Sequence, residues 1–203
     1  MIRKIGIVVA AAILGLLGQA APASAAFIPG TSGPDNLVGT NAGDLIKGFA
    51  GNDSMRGRDG NDTIFGNNNS DHGWGNRGFD LLLGNDGSDT LRGNKGNDTV
   101  RGNDGNDRVR GGRGADRLFG GRDADHLWGG VAGDQLRSGR GSDHLFPGSG
   151  ADRVFGGKGS DQFRVGVDGF PDLINCGDGT DHVNLVGNTI DPQDTYHHCE
   201  NIN

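Results

Sequence analysis

The dominant feature of the chain is a nine-residue unit that repeats fifteen times, in phase, over residues 30–164. Position one is glycine in thirteen units, position four is glycine in eleven, and position eight is apolar in fourteen. A period this strict predicts a stack of identical small units rather than an ordinary globular core. Position six is aspartate in every unit, without insertion or deletion: Asp35, Asp44, Asp53, Asp62, Asp71, Asp80, Asp89, Asp98, Asp107, Asp116, Asp125, Asp134, Asp143, Asp152 and Asp161.

Composition agrees with a turn-rich repeat. The chain has 41 glycines in 203 residues and only 33% hydrophobic residues, which fits either disorder or a repeat of tight turns. The strict phase favours the repeat. Within each unit we expect the first six residues to form a turn and the last three a short strand. Position eight then points to a narrow core, interrupted at Gly73, while positions seven and nine point outward.

The later units share a specific motif: residues 111–119 read Gly-Gly-x-Gly-x-Asp-x-Leu-x. This motif resembles the nonapeptide repeats of RTX (hemolysin-type) calcium-binding proteins of secreted bacterial origin. The resemblance implies an all-β fold, a right-handed parallel β-roll (β-solenoid) in which two units form one 18-residue coil. It also implies that unit n stacks on unit n+2, and that Ca²⁺ is bound by the fifteen aspartates in two columns on opposite edges.

Electrostatics supports the same ion. Stacked coils place each aspartate ~5 Å from the next in its column, where carboxylates repel one another. A hard cation between successive loops would remove this repulsion, and oxygen ligands suit Ca²⁺. The alternative is that aspartate serves only as a turn residue. We expect at most 13 sites, weaker ones near Asp71, Asp125 and Asp134, and a chain that folds only with calcium.

The N-terminal sequence predicts export, and the C-terminal sequence predicts a cap on the repeat. Residues 1–25 have the basic start, apolar run and small residues of a signal peptide, with cleavage between Ala25 and Ala26; a membrane anchor is the alternative. The β-roll then spans residues 26–164, and residues 165–203 form degenerate rungs and a C-terminal cap. Cys176 and Cys199 predict a disulfide that pins this cap in a secreted protein. A zinc site of these cysteines with His197 and His198 is the alternative.

The outward-facing positions do not identify a binding partner. Position nine is arginine in six units and aromatic in another six, which favours either solubility or a face for a cell-surface polysaccharide or protein. His126 and His144 lie one coil apart, as solvated side chains or as a transition-metal pair. Asp59, Asp86 and Asp104 at position three could add calcium ligands. No catalytic motif is present, so we predict no enzyme activity. The net charge of -7 argues against a nucleic-acid partner.

Overall fold

The computed structural model describes residues 7–8, 24–187 and 189–203, and these form a parallel β-solenoid of about ten coils. The described part contains no helix, so none that could cross a membrane. One sheet, here the odd sheet, consists of β1 (Ile7–Val8), β3 (Asn36–Val38), β5 (Ser54–Asp59), β7 (His72–Arg77), β9 (Thr90–Lys95), β11 (Arg108–Arg113), β13 (His126–Val131), β15 (His144–Ser149), β17 (Gln162–Val165), β19 (His182–Leu185) and β21 (Asn201–Ile202). The other, the even sheet, consists of β2 (Phe27–Pro29), β4 (Leu45–Ala50), β6 (Thr63–Asn68), β8 (Leu81–Asp86), β10 (Thr99–Asp104), β12 (Arg117–Arg122), β14 (Gln135–Arg140), β16 (Arg153–Lys158), β18 (Leu173–Asp178) and β20 (Thr195–His197).

The register confirms the predicted coil of 18 residues. Val100 pairs with Leu118, and Leu118 pairs with Leu136, one coil further on. All neighbouring strands are parallel, so identical positions of units n and n+2 lie side by side. The all-β fold class predicted from the repeat is therefore confirmed, with about ten coils because rungs at both ends add to those of the fifteen units.

The strands are longer than predicted. Most have six residues and run from position seven through position three of the next unit, so the expectation of a six-residue turn is wrong. Only positions four to six turn. The reason is the stacking: Asn103 and Asp104, at positions two and three, pair in register with Gly121 and Arg122. Ladder pairing on both sides outweighs the turn preference of glycine and asparagine at these positions.

The core is one apolar side chain wide. Position-eight residues from Leu37 to Phe163 are fully buried, as predicted, and Ile28, Ile174 and Val183 extend the same line into the end rungs. Gly73 leaves no void of its own, because a Cβ there would lie 3.0 Å from Leu91 Cδ2. The stack therefore buries little apolar surface per residue, and its stability must depend on other interactions as well.

Both ends carry rungs beyond the strict repeat. Residues 27–29 pair with residues 45–47, so the chain begins to coil before the first unit. After residue 164 the spacing widens to 20 and then 22 residues, as Arg153 pairs with Leu173 and Leu173 with Thr195. The extra residues form loops, and the strands return to the stack. Apart from the strand β1, the predicted signal peptide lies almost entirely outside the described residues, so cleavage before Ala26 stays a prediction.

A disulfide fastens the C-terminal cap. Cys176 in β18 and Cys199, just before β21, are joined with an S–S distance of 2.00 Å and a Cα–Cα distance of 5.1 Å. The predicted pairing is confirmed, and the alternative zinc site is wrong because both sulfurs are bonded to each other. The bond ties the last even-sheet rungs to the final odd-sheet strand.

Replacing both cysteines by serine is expected to lower the free energy of unfolding in calcium by about 3 kcal/mol. This is the chain-entropy value for a closed loop whose ends are 23 residues apart. Urea unfolding of the Cys176→Ser/Cys199→Ser variant, compared with the oxidised wild type, measures this loss of stability. An unchanged urea midpoint would show that the cap does not depend on the bond.

Candidate metal centres

The aspartates form two ladders of hydrogen bonds at the turn edges. The backbone N–H of Asp98 donates to Asp116 Oδ1 at 2.7 Å, and that of Asp116 donates to Asp134 Oδ1 at 2.8 Å. The carbonyl of each aspartate accepts from the next coil, as Asp80 O does from the N–H of Thr99 at 2.8 Å. This pattern holds in both columns. The structure therefore brings the predicted aspartates together within each column, one coil apart.

Four further acidic residues continue the ladders, and sequence reasoning missed them as site residues. Asp152 donates its N–H to Asp172 Oδ1, and Asp172 in turn donates to Asp194 Oδ1, both at 2.9 Å. On the opposite edge Asp161 donates to Asp181 Oδ1 at 2.8 Å, and Asp181 donates to Glu200 Oε2 at 2.9 Å. The strict nine-residue period hid them, because inserted residues widen the spacing along the ladders from 18 to 19, 20 or 22 residues. The Gly-x-Asp-x-Val pattern around Asp181 was the available signal.

The second carboxylate oxygen is the unusual feature of these columns. In most units Oδ2 is buried and has no hydrogen-bond donor among the described residues, although each buried polar atom normally has one. A buried, unpaired carboxylate oxygen is costly unless a proton or a cation accompanies it. The atoms concerned belong to Asp53, Asp62, Asp71, Asp80, Asp89, Asp98, Asp107, Asp116, Asp125, Asp134, Asp143, Asp152, Asp161 and Asp181.

These oxygens explain the glycine at position one. A Cβ on Gly66 would collide with Asp71 Oδ2 and lie 2.8 Å from the carbonyl oxygen of Gly84, which is the equivalent glycine one coil on. The carboxylate oxygen and a backbone carbonyl oxygen thus approach the same point. Ser138, at position one of its unit, donates its hydroxyl to Gly156 O at 2.5 Å. A site of carboxylate and carbonyl oxygens suits a hard cation such as Ca²⁺.

The first two units differ from the rest. Asp35 Oδ2 accepts from the N–H of Thr31 at 2.5 Å and from its hydroxyl at 3.0 Å. Asp44 Oδ2 accepts from Thr40 in the same way, at 2.5 and 3.1 Å. Position two of all later units has φ between 77° and 131°, beginning with Phe49 at 77°. β-Branched threonine disfavours this region. Threonine at position two was therefore the sequence signal that these two aspartates have their own donors.

Burial raises the pKa values of the column carboxylates. The pKa of Asp71 rises to about 7, and those of Asp125 and Asp134 rise to about 8. Desolvation is the main cause, neighbouring aspartates add to it, and the backbone N–H bond opposes it. The ionised columns are thus unfavourable at neutral pH without a compensating positive charge.

Asp59, Asp104 and the two histidines make contacts of their own outside the columns. Asp59 and Asp104, at position three, form surface ion pairs with Arg77 at 3.6 Å and Arg122 at 3.0 Å. His126 and His144 stack face to face, with ring centroids 4.6 Å apart. Among the described residues, no group of three or more His, Cys, Asp or Glu side chains converges on one point. A cation in the columns would therefore depend on backbone carbonyls as well as carboxylates.

Comparison with known families agrees with this geometry. The sequence model of the RTX calcium-binding nonapeptide repeat matches four segments, residues 29–64, 65–100, 101–136 and 128–163. A comparison with curated proteins gives no match. The four segments span about two thirds of the chain and contain all fifteen repeat aspartates. The chain therefore belongs to the RTX calcium-binding nonapeptide repeat family, folds as its β-roll and binds Ca²⁺ at multiple sites.

Proposed function

We propose that this protein is a secreted scaffold that folds when it binds extracellular calcium and has no catalytic activity of its own. The observation that supports this most directly is the set of buried Oδ2 atoms that lack a donor. Bound Ca²⁺ supplies the positive charge that these carboxylates need. The chain's own part is to hold each carboxylate in place through its Oδ1 hydrogen bond and to exclude water from the column.

The proposed ligands are the aspartates whose Oδ2 lacks a donor. They comprise the thirteen repeat aspartates from Asp53 to Asp161, together with Asp181. We assign Asp35 and Asp44 a different role, because Thr31 and Thr40 already satisfy their Oδ2 atoms. These first two units would form an end of the roll that needs no metal.

Two features support the extracellular setting. The predicted signal peptide with cleavage between Ala25 and Ala26 implies export, and the Cys176–Cys199 disulfide suits an oxidising compartment. Extracellular calcium modules bind with a Kd of roughly 10⁻⁴ to 10⁻³ M, and we place these sites in that class. Such a protein would be unfolded at cytosolic calcium and folded outside the cell.

A matched pair of substitutions tests the ligand assignment. Asparagine keeps the Oδ1 acceptor, so Asp107→Asn should preserve the ladder but remove the charge beside the unpaired oxygen. We expect it to raise the calcium concentration needed for folding and to lose roughly 1.4–2.7 kcal/mol of calcium-linked stability, as for one site at 10–100 times its Kd. Asp44→Asn should change the calcium dependence far less.

Calcium titrations of both variants, followed by far-UV circular dichroism, measure this difference. Thermal unfolding in EDTA and in saturating calcium separates lost calcium binding from general destabilisation. Equal shifts of the calcium midpoint in the two variants would refute the distinction between the first two units and the rest. An unchanged midpoint in Asp107→Asn would refute the ligand assignment itself.

A further inference from the structure

The net charge of the chain does not describe its surface. Of 26 acidic residues, 17 are buried, nearly all of them in the two columns, and only nine are partly or fully exposed. No lysine or arginine after residue 4 is buried, and these number 17. The folded roll is thus acidic inside and basic outside. The negative net charge of the whole chain therefore gives no reason to exclude an anionic partner.

On the even sheet, two changes in the repeat coincide at one coil. In β8 and β10 position two is asparagine and position three is aspartate. In β12, β14 and β16 position two is glycine and position three is arginine or lysine. Both changes occur between β10 and β12. From β12 onward the glycines at position two form a floor without side chains, namely Gly121, Gly139 and Gly157. Beside this floor lies a column of cations, namely Arg122, Arg140 and Lys158.

A shallow groove of about 440 Å³ runs along the stack here, called the basic groove, and its lining residues are Asn103, Asp104, Gly121, Arg122, Gly139, Arg140 and Lys158. Arg122, Arg140 and Lys158 form one wall, in register and one coil apart. The position-nine residues of the same strands, which include Arg137 and Phe155, precede the glycine floor in sequence. All three wall cations are exposed. The groove therefore runs parallel to the coil axis and is open to a long, narrow ligand.

The charges of the basic groove are only partly compensated. Arg122 pairs with Asp104 at 3.0 Å. Within the described ranges, Arg140 and Lys158 have no acidic group within 4.0 Å. Adjacent cations in the column are ~4.8 Å apart along the backbone and repel one another. A partner with regularly spaced negative charges would relieve this repulsion along the whole wall.

We propose that the basic groove binds a linear acidic polysaccharide through carboxylate or sulfate groups placed along Arg122, Arg140 and Lys158. Guanidinium groups suit such oxyanions because their planar donors match both oxygens. The proposal extends the scaffold function above and depends on it only through the folded roll. Calcium neutralises the buried carboxylates, so a partner interacts mainly with the positive charge of the surface.

A nucleic acid fits this face less well. Single strands are bound by aromatic rings with an open face on which bases stack. Here Phe119 lies under Arg101 at 4.4 Å and Phe155 lies under Arg137 at 5.0 Å, so the guanidinium groups already occupy a face of each ring. The groove is also shallow and flat, and no element projects from it that could enter a duplex groove. Charge alone therefore remains as the basis of recognition.

The opposite sheet offers a matched control. Arg77, Lys95 and Arg113 form an equivalent column at position three, and Arg77 likewise pairs with an aspartate. Asparagine occupies position two beside Arg77 and Lys95, so this column lacks the glycine floor. The variants Arg122→Gln/Arg140→Gln/Lys158→Gln and Arg77→Gln/Lys95→Gln/Arg113→Gln remove the same charge from equivalent exposed positions.

Calorimetric titration with dextran sulfate at fixed free calcium tests the proposal, after circular dichroism has shown that all variants are folded. We expect wild type to bind dextran sulfate and not neutral dextran. The groove variant should lose affinity at least about tenfold, and the control variant less than about threefold. Hyaluronan in place of dextran sulfate shows whether carboxylate groups suffice or sulfate is required.

Three results would overturn the proposal. The first is a folded wild type that binds neither hyaluronan nor dextran sulfate at physiological salt. The second is an equal loss of affinity in both triple variants, which would mean that charge attracts the polymer without a groove. The third is tighter binding of poly(dT) than of either glycan, which would assign the groove to nucleic acid. A chain that fails to fold in calcium refutes the calcium scaffold instead, so the two failures are distinguishable.

Discussion

Chelating calcium with EDTA at pH 7.5 is expected to convert the folded roll, over residues 26–203, into a largely disordered chain. Fourteen buried carboxylates would then face one another without a donor for Oδ2. The apolar core supplies only one side chain per unit to oppose this. The 41 glycines add a high entropic cost of ordering the backbone. Calcium binding and folding should therefore be a single coupled equilibrium.

Far-UV circular dichroism measures this transition. With sites of millimolar or submillimolar affinity, each occupied site contributes roughly 1.4–2.7 kcal/mol when calcium is 10 to 100 times its Kd. Several sites together then decide between an unfolded and a stable chain. Magnesium at the same concentration should not restore the spectrum, because it retains its water ligands. A sheet spectrum that persists unchanged in EDTA would contradict the prediction.

Lowering the pH in EDTA is expected to restore sheet structure without calcium. An unfolded aspartate has a pKa near 3.8, whereas the folded columns have values of about 6 to 8. Between these values the folded state binds more protons than the unfolded state, so folding becomes more favourable as the pH falls. The stabilisation is complete below pH 3.8 and is lost as the pH rises through about 8. Calcium should remove most of this dependence near neutral pH.

A pH titration from 8 to 4 in EDTA, followed by circular dichroism, tests the predicted direction of this pH dependence. The Asp107→Asn variant should need less acid than wild type, because one buried charge is already absent. The same variant should need more calcium at neutral pH. A chain that stays disordered at every pH in EDTA would show that protonation cannot replace the cation. A decrease of any residual sheet signal as the pH falls would show that the predicted sign is wrong.

The repeat and the family that it resembles together allowed most of the fold to be predicted. The nine-residue phase indicated a stack of small units, the resemblance to the RTX repeats implied that unit n stacks on unit n+2, and the apolar position eight indicated the core from Leu37 to Phe163. The strand length could not be predicted in this way. Asn and Gly at position two favour turns locally, but pairing with both neighbouring coils holds them in the sheet. Local preference was overruled by a tertiary interaction that repeats along the stack.

The site could be predicted only in part. The aspartates were evident from their period, but the different state of Asp35 and Asp44 depends on hydrogen bonds from Thr31 and Thr40. Asp172 and Asp181 were displaced from the period by inserted loops, and Asp194 and Glu200 join the ladders only in three dimensions. Net charge was also misleading, because it does not separate buried acids from exposed bases.

Counting the calcium ions bound per chain tests the central claim most directly. Fourteen buried carboxylates need about seven divalent ions for neutrality, and pairing of neighbours along the two columns allows at most 12. Native mass spectrometry of residues 26–203 in calcium should find a number in this range. A variant in which the thirteen repeat aspartates from Asp53 to Asp161 are changed to asparagine should bind almost no calcium. An ion count of zero for wild type, or an undiminished count for that variant, would contradict calcium binding by the buried columns.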